Sequence, residues 1–180
     1  MIWVVGMERE KTKPVALFIG RFQPLHLGHF AALQWIAKKS SEVIIAIGSS
    51  QLSHDIENPF TADERERMAS AAVKEAGISQ KCRIVKLEDV KDNDEWVKHV
   101  EKHVGKYDLV YSNNVLIKRL MEKGGKKVVS VPFFRREKYI GTKIREKMAL
   151  GNEWESSVPK SVLLILKEIG AQERIRKLKS

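Results

Sequence analysis

Short apolar runs recur along this chain with helical patterns between them, and that alternation restricts the folds open to it. Val15 to Gly20 reads as a strand and leads into a helix from Gly28 to Lys39, where Phe30, Leu33, Ile36 and Ala37 recur at helical spacing. Ser40-Ser41 turn the chain into a second strand, Glu42 to Ile47. A polar loop, Gly48 to Pro59, precedes a helix from Ala62 to Ala76, opened by a Thr61/Glu64 capping box and ended by Gly77. Strand Cys82 to Leu87 is followed by the acidic loop Glu88 to Asp94 and a helix to about Val104, with Asp92 and Glu95 spaced to cap it. Strand Leu109 to Tyr111, a helix through Leu120, the Gly124-Gly125 break and strand Lys127 to Val131 complete the series. Strands alternating with helices call for a parallel sheet covered on both faces. The expected fold is therefore α/β, a Rossmann-like doubly wound parallel sheet of about five strands with C-terminal helices at Gly141 to Leu150 and Pro159 to Ile169. Ligands bind such sheets at the carboxyl ends of the strands.

The turn after the first strand carries the densest chemistry: Gly20-Arg21-Phe22-Gln23-Pro24-Leu25-His26-Leu27-Gly28-His29. A helix amino terminus presents unpaired N–H groups and the positive end of the helix dipole, so phosphates bind there, and Arg21, His26 and His29 add side-chain donors. His26 and His29, three apart, share a face if both lie on the first helical turn. Gly20 and Gly28 let the backbone approach a phosphate closely. Two histidines alone could merely cap a helix; the Arg, Pro, Gly and both histidines together in strand-to-helix context tell against that.

A second such turn is Tyr139-Ile140-Gly141-Thr142-Lys143-Ile144-Arg145, with Thr142 as a hydroxyl donor or cap and Arg145 one turn along as a charged clamp. By itself a capped helix with an Arg is commonplace. Gly48-Ser49-Ser50-Gln51-Leu52-Ser53-His54 and Asn58-Pro59-Phe60-Thr61-Ala62-Asp63-Glu64-Arg65 read, as composition, only as a polar loop and a helix start. In Glu88 to Trp96 a carboxylate or amide beside an indole could hydrogen-bond a carboxamide and stack on a pyridinium ring; the plain alternative is a core Trp96 with acidic caps. Asn113, in Tyr111-Ser112-Asn113-Asn114, tolerates the left-handed conformation. His99 and His103 have a zinc-like spacing but no evident third ligand, and read as a helix-surface pair. Cys82 reads as buried packing.

Composition narrows the partners. The chain has 180 residues, 43% of them hydrophobic, enough for one core. We expect an N-terminal extension over residues 1–13 and a single domain over 14–180. Val162-Leu163-Leu164-Ile165-Leu166 is too short to cross a membrane, and the apolar start, Met1 to Met7, lacks the basic region of a secretory signal. No membrane partner and a cytoplasmic location are expected, and the single cysteine fits a reducing compartment. Thirty-three Lys and Arg against 23 Asp and Glu give a net charge of +10, which attracts polyanions. Much of it lies in Lys123 to Lys127, in the basic aromatic loop Phe133 to Tyr139 and in the tail Arg174 to Lys179, the last read as solvated surface.

On these motifs, over about residues 14 to 170, the chain resembles the nucleotidyltransferases of the HxGH type, and among them the archaeal nicotinamide-nucleotide adenylyltransferases. The resemblance implies adenylyl transfer from ATP to nicotinamide mononucleotide (NMN) with Mg²⁺. It implies that His26, His29 and Arg145 are catalytic and that Gly20, Arg21, Phe22, Gly28, Gly141 and Thr142 hold ATP phosphates. It further implies that Ser49, Asp89, Asn93 and Trp96 hold NMN, Ser49 at its phosphate. Ile140 stands where that family's phosphate motif usually has serine, Asn113 where relatives have glycine, and Glu57 where some have arginine. A homo-oligomer is expected on the same ground, with no stable nucleic-acid partner and no dedicated protein metal cage. The nearest rival is transfer of an adenylyl or cytidylyl group to another acceptor, such as phosphopantetheine or FMN. A different class, a basic nucleic-acid-binding Rossmann domain, would show a broad Lys/Arg face with aromatics instead of donors converging at two helix starts.

Overall fold

A computed structural model describes residues 13–132 and 138–179. The expected N-terminal extension, apart from Lys13, and residues 133–137 of the expected aromatic loop lie outside the described residues. The sheet is parallel, with strands β1 (Val15–Gly20), β2 (Glu42–Ile47), β3 (Cys82–Lys86), β4 (Leu109–Tyr111) and β5 (Val128–Val129) in the order β3-β2-β1-β4-β5. The chain builds outward from β1 through β2 to β3, then returns to place β4 on the other flank. The crevice that this reversal opens at the carboxyl ends of β1 and β4 is where ligands bind in open α/β sheets.

Helices α1 (Leu27–Lys39), α2 (Ala62–Glu75), α3 (Asn93–Val104) and α4 (Val115–Lys123) follow the first four strands. Strand side chains alternate between the faces, and both faces are dry. Phe18, Val43, Ile45 and Ile47 pack with α1 and α2, whereas Leu17, Ile19, Ile44 and Ala46 pack with α3 and α4. Val43 to Ile47 have no exposed surface, which is why β2 reads as an unbroken apolar run. Full burial of each Ile or Leu is worth about 1.5–3 kcal/mol.

The expected capping box opens α2: Thr61 Oγ1 accepts from the Glu64 N–H at 3.2 Å, and Glu64 Oε2 accepts from the Thr61 N–H at 2.9 Å. Gly77 (φ +67°) and Gly151 (φ +74°) take the left-handed conformation that ends α2 and α5 (Gly141–Leu150). Several boundaries move. Helix α4 continues past Leu120 to Lys123, and β5 keeps only the two residues that pair with β4. Asn113 is not left-handed. Its amide instead pairs with the Val131 backbone, donating to the carbonyl at 2.7 Å and accepting from the N–H at 3.0 Å.

The tail also departs from expectation. After α6 (Lys160–Glu168), residues Ala171–Lys179 form a helix, α7, that buries Ala171 and Ile175 in the core while Arg176, Lys177 and Lys179 stay exposed. Arg174 binds Glu64 through both nitrogens, at 2.7 and 2.8 Å, and donates to the Pro59 carbonyl at 3.1 Å. The basic tail thus clamps the start of α2.

Burial works to raise the Glu64 carboxyl, but the Arg174 hydrogen bonds, the Thr61 N–H and the Arg174 charge outweigh it and hold the group below its ordinary value. A carboxyl held low contributes stability that is complete above its unfolded value of 4.5 and is lost as pH falls through the folded value. Arg174→Ala should lower stability by about 2 kcal/mol at neutral pH and flatten the decline below pH 4.5, as read from urea midpoints across pH. An unchanged midpoint would mean that the pair contributes nothing.

Candidate active site

The site is built on the loops that leave β1, β2, β3 and β4. After β1 the chain turns at Arg21 to Leu25, with a cis Gln23–Pro24 bond. The buried Gln23 amide pairs with the Phe60 backbone in both directions at 3.1 Å, tying this turn to the segment that starts α2. His26 then caps α1. Its Nδ1 accepts from the His29 N–H at 3.3 Å, and His29 Nδ1 accepts from the His26 N–H at 3.4 Å, a capping box made of two imidazoles. The rings stack at 3.7 Å with planes 19° apart, and the Phe22 ring meets His29 edge-on at 4.9 Å.

That arrangement settles the chemical state of both histidines. Burial lowers His26 to about 4, and burial together with neighbouring His26 puts His29 well below its ordinary value. Each neutral ring accepts at Nδ1 and so carries its proton on Nε2, where it can donate to an incoming oxygen. The histidines are neutral donors in the free protein. Positive charge comes from arginines and from the start of α1.

The glycines also have a packing role inside the turn. A Cβ on Gly28 would lie 3.0 Å from His26 Nδ1 and 3.2 Å from Tyr139 Cβ, and one on Gly20 would lie 2.9 Å from the Phe22 ring. They make room for the protein's own rings. Phe22 itself is 2% exposed, so its side chain packs and only its backbone is available to a ligand.

A cavity of about 530 Å³ opens above the carboxyl ends of the strands. It is lined by Gly20, Arg21 and His29 from the first turn, Ser49 after β2, and Asp89, Asn93 and Trp96 after β3. The expected phosphate donors and the expected ring-binding group therefore share one chamber, of the size that holds small molecules. Asp89 is braced by Gln51: its Oδ2 accepts from the Gln51 amide at 3.3 Å and its N–H donates to Gln51 Oε1 at 3.1 Å. Trp96 packs against the second core and also lines the cavity. Arg21 Nη1 lies 3.3 Å from Glu57 Oε2, both exposed, so the glutamate at that position is an ion-pair partner of Arg21.

The remaining expected residues stand apart. His26 stacks behind His29, and Gly28 lies beneath it. Gly141, Thr142 and Arg145 lie at the start of α5, where Thr142 and Arg145 border a separate hollow of about 130 Å³ with Ile56 and Lys179. Arg145 Nη1 donates to the Gln23 carbonyl at 2.8 Å and Nε to the Ile56 carbonyl at 3.1 Å, so it braces the first turn instead of pointing into the larger chamber. The cap of α5 is Ile140, not Thr142, and its side chain supplies no hydrogen bond.

Three residues in the quoted segments have roles that the sequence did not assign individually. Asn114 caps α4 and, with Leu116 and Ile117, lines the cavity. Gln51 positions Asp89. Arg65 has no exposed surface and donates to the carbonyls of Thr61, Arg21, Gly48 and Ser49. The signal for Arg65 was available: it falls in the stripe with Met68, Ala69, Ala72 and Val73 that α2 buries. His99 and His103 pair on α3, the His103 Nδ1 lying 2.8 Å from the His99 carbonyl, and among the described residues no group of three or more His, Cys, Asp or Glu could hold a metal ion. No helix among them is long and apolar enough to cross a membrane. Cys82 is only partly buried, packs against the core and is pushed up to about 11 by burial.

The chain is similar to known proteins in sequence and in fold. The cytidylyltransferase-like family model matches residues 17–147. Nicotinamide-nucleotide adenylyltransferase from Archaeoglobus fulgidus is 47% identical over 165 residues, covering 89% of this chain and 95% of that one. The protein of the same name from Pyrococcus abyssi is 45% identical over 162 residues, covering 90% and 87%. Among solved structures, a bifunctional NMN adenylyltransferase/ADP ribose pyrophosphatase from Francisella tularensis, complexed with AMP and a manganese ion, superposes with a TM-score of 0.76 at 24% identity. The match covers 93% of this chain but only 52% of that one, so the chain spans about half the length of the bifunctional protein. At that identity the likeness is one of fold.

The histidine geometry is open to direct measurement. Nitrogen-15 spectra at neutral pH should show both imidazoles as the Nε2–H tautomer, with His26 titrating at about 4. A ring protonated at Nδ1, or one titrating near 6.5, would contradict the reciprocal cap.

Proposed function

The chain belongs to the cytidylyltransferase-like family, together with the archaeal nicotinamide-nucleotide adenylyltransferases, and from that premise we propose that it joins ATP and NMN into NAD and pyrophosphate. The observation that carries this reading is the single cavity in which Gly20, Arg21 and His29 face the same space as Asp89, Asn93 and Trp96. A phosphate at one end and a carboxamide-bearing ring at the other is the shape of a pyridine mononucleotide. Trp96 offers an aromatic face to the cationic ring, and the Asp89 carboxylate, held by Gln51, offers an acceptor to the carboxamide N–H.

An NMN phosphate oxygen attacks the α-phosphorus of ATP in line, a new P–O bond forms, and the bond to the β-phosphate oxygen breaks. The leaving group is pyrophosphate. No protein nucleophile is needed, so the chain supplies alignment and donors. In this reading His29 presents its Nε2–H to the phosphates, His26 holds the His29 ring from behind by stacking and the reciprocal cap, and Arg21 and the start of α1 balance charge in the chamber. Arg145, Gly141 and Thr142 form the more distant part of the ATP grip, with Gly28 seating the His26 ring and Phe22 contributing through its backbone. Mg²⁺ would supply charge neutralisation on the triphosphate, being an ion that keeps its waters and binds through substrate phosphates. Work as a homo-oligomer belongs to the same proposal and rests on the resemblance; a cytoplasmic location belongs to it too and rests on the single cysteine, which fits a reducing compartment.

The test is a mixture of the purified protein with ATP, Mg²⁺ and NMN, followed for both pyrophosphate and NAD. Both should appear in equal amounts, and His29→Ala, still folded, should lower kcat by about two orders of magnitude. Asp89→Asn should raise KM for NMN about tenfold while leaving KM for ATP unchanged. A protein that releases no pyrophosphate but retards RNA would overturn the reading.

A further inference from the structure

Arg65 is a costly residue to place where it lies. Its side chain has no exposed surface, and none of the ion pairs among the described residues includes it. An apolar side chain would fill the same stripe of α2 without the loss of hydration, as Met68 does one turn later. The guanidinium spends its hydrogen bonds on carbonyls: Nε on Thr61 at 3.2 Å, Nη2 on Ser49 at 3.0 Å, and Nη1 on both Arg21 at 3.0 Å and Gly48 at 2.7 Å.

The two Nη1 contacts have something in common. A trans peptide is planar, so the N–H at its far end points opposite to its carbonyl. Holding the Arg21 carbonyl inward turns the Phe22 N–H outward, and holding the Gly48 carbonyl does the same for the Ser49 N–H. Phe22 and Ser49 are also two of the three non-glycine residues with positive φ among the described residues, each at +50°. That conformation is unfavourable for L-residues and persists only where surroundings impose it. Neither N–H has an acceptor among the described residues, whereas the next amide along, Ser50, is bound to the Leu87 carbonyl at 2.9 Å. Arg21, Gly48 and Ser49 line the cavity.

We propose that Arg65 is a positioning residue: from beneath the site, one guanidinium nitrogen sets the Phe22 and Ser49 backbone N–H groups as paired donors for phosphate oxygens. This rests on the reading of the cavity as a phosphate-binding site, but not on NMN as the acceptor. It gives the buried Phe22 a role that its ring cannot play, and it explains an arginine among the apolar residues of α2. Lysine keeps the charge there, but its compact ammonium cannot span four carbonyls on three segments.

Two measurements test it. In wild-type protein without substrates, titration with inorganic pyrophosphate should shift the Phe22 and Ser49 amide proton resonances downfield along with signals of His29. The proposal falls if those two amides stay still while His29 responds, or if pyrophosphate moves no signal in the cavity. In a second experiment Arg65→Lys is compared with Met68→Ala, a destabilising change on the same helix stripe, each at a temperature where it is fully folded. Arg65→Lys should raise KM for a phosphate-bearing substrate at least tenfold, whereas Met68→Ala should leave both KM values unchanged. Equal KM values in the two variants would make Arg65 a structural residue only. Should the lysine variant not fold, the wild-type titration decides. If wild-type protein makes no NAD yet both amides shift, the assignment of the acceptor fails and that of Arg65 stands.

Discussion

The contact on which the rest depends is a buried cation ringed by backbone carbonyls. Arg65 joins the loop after β1, the loop after β2 and the start of α2, and no other side chain among the described residues binds all three. Burial lowers its pKa only to about 10, with the nearby Arg21 charge adding to the effect, so it stays charged at neutral pH. Its charge lies directly below the chamber. A fixed positive group in a water-poor place attracts anions more strongly than an exposed lysine would, because little solvent screens it. Around it, Gln23 ties the first turn to Phe60, Arg145 ties it to Ile56 and α5, and Arg174 ties α2 to the tail. Each is a polar side chain spent on holding loops that an apolar core cannot reach.

This division of labour explains why the histidines can be neutral. Stacking two imidazoles 3.7 Å apart in a buried turn makes a charged pair unfavourable. With the charge carried by arginines, His29 is free to act as an oriented N–H donor, its tautomer fixed by the His26 backbone. Orientation is what a reaction without a protein nucleophile needs from its site.

The sheet was legible because β2 and its neighbours are buried on both faces, and such strands announce themselves as apolar runs. The histidine turn was legible because its residue types are rare in that order. What could not be read were side chains whose partners lie far along the chain. Gln23 meets Phe60, Gln51 meets Asp89 and Arg174 meets Glu64, and no local pattern encodes those pairs. The partner of Asn113 was hidden for the same reason: its amide pairs with Val131, 18 residues on, and the left-handed conformation that it tolerates is not used. The basic tail looked solvated because its charges outnumber its two core anchors, Ala171 and Ile175. Arg65 was the one case where the local pattern did carry the signal, as a charge inside an apolar stripe.

A structure of the protein with NAD bound is the direct test. The nicotinamide ring should lie on Trp96 with its carboxamide at Asp89, and the phosphates next to His29 and the Phe22 and Ser49 backbone N–H groups. A dinucleotide seated outside the chamber, or one with its phosphates away from those three residues, would contradict it.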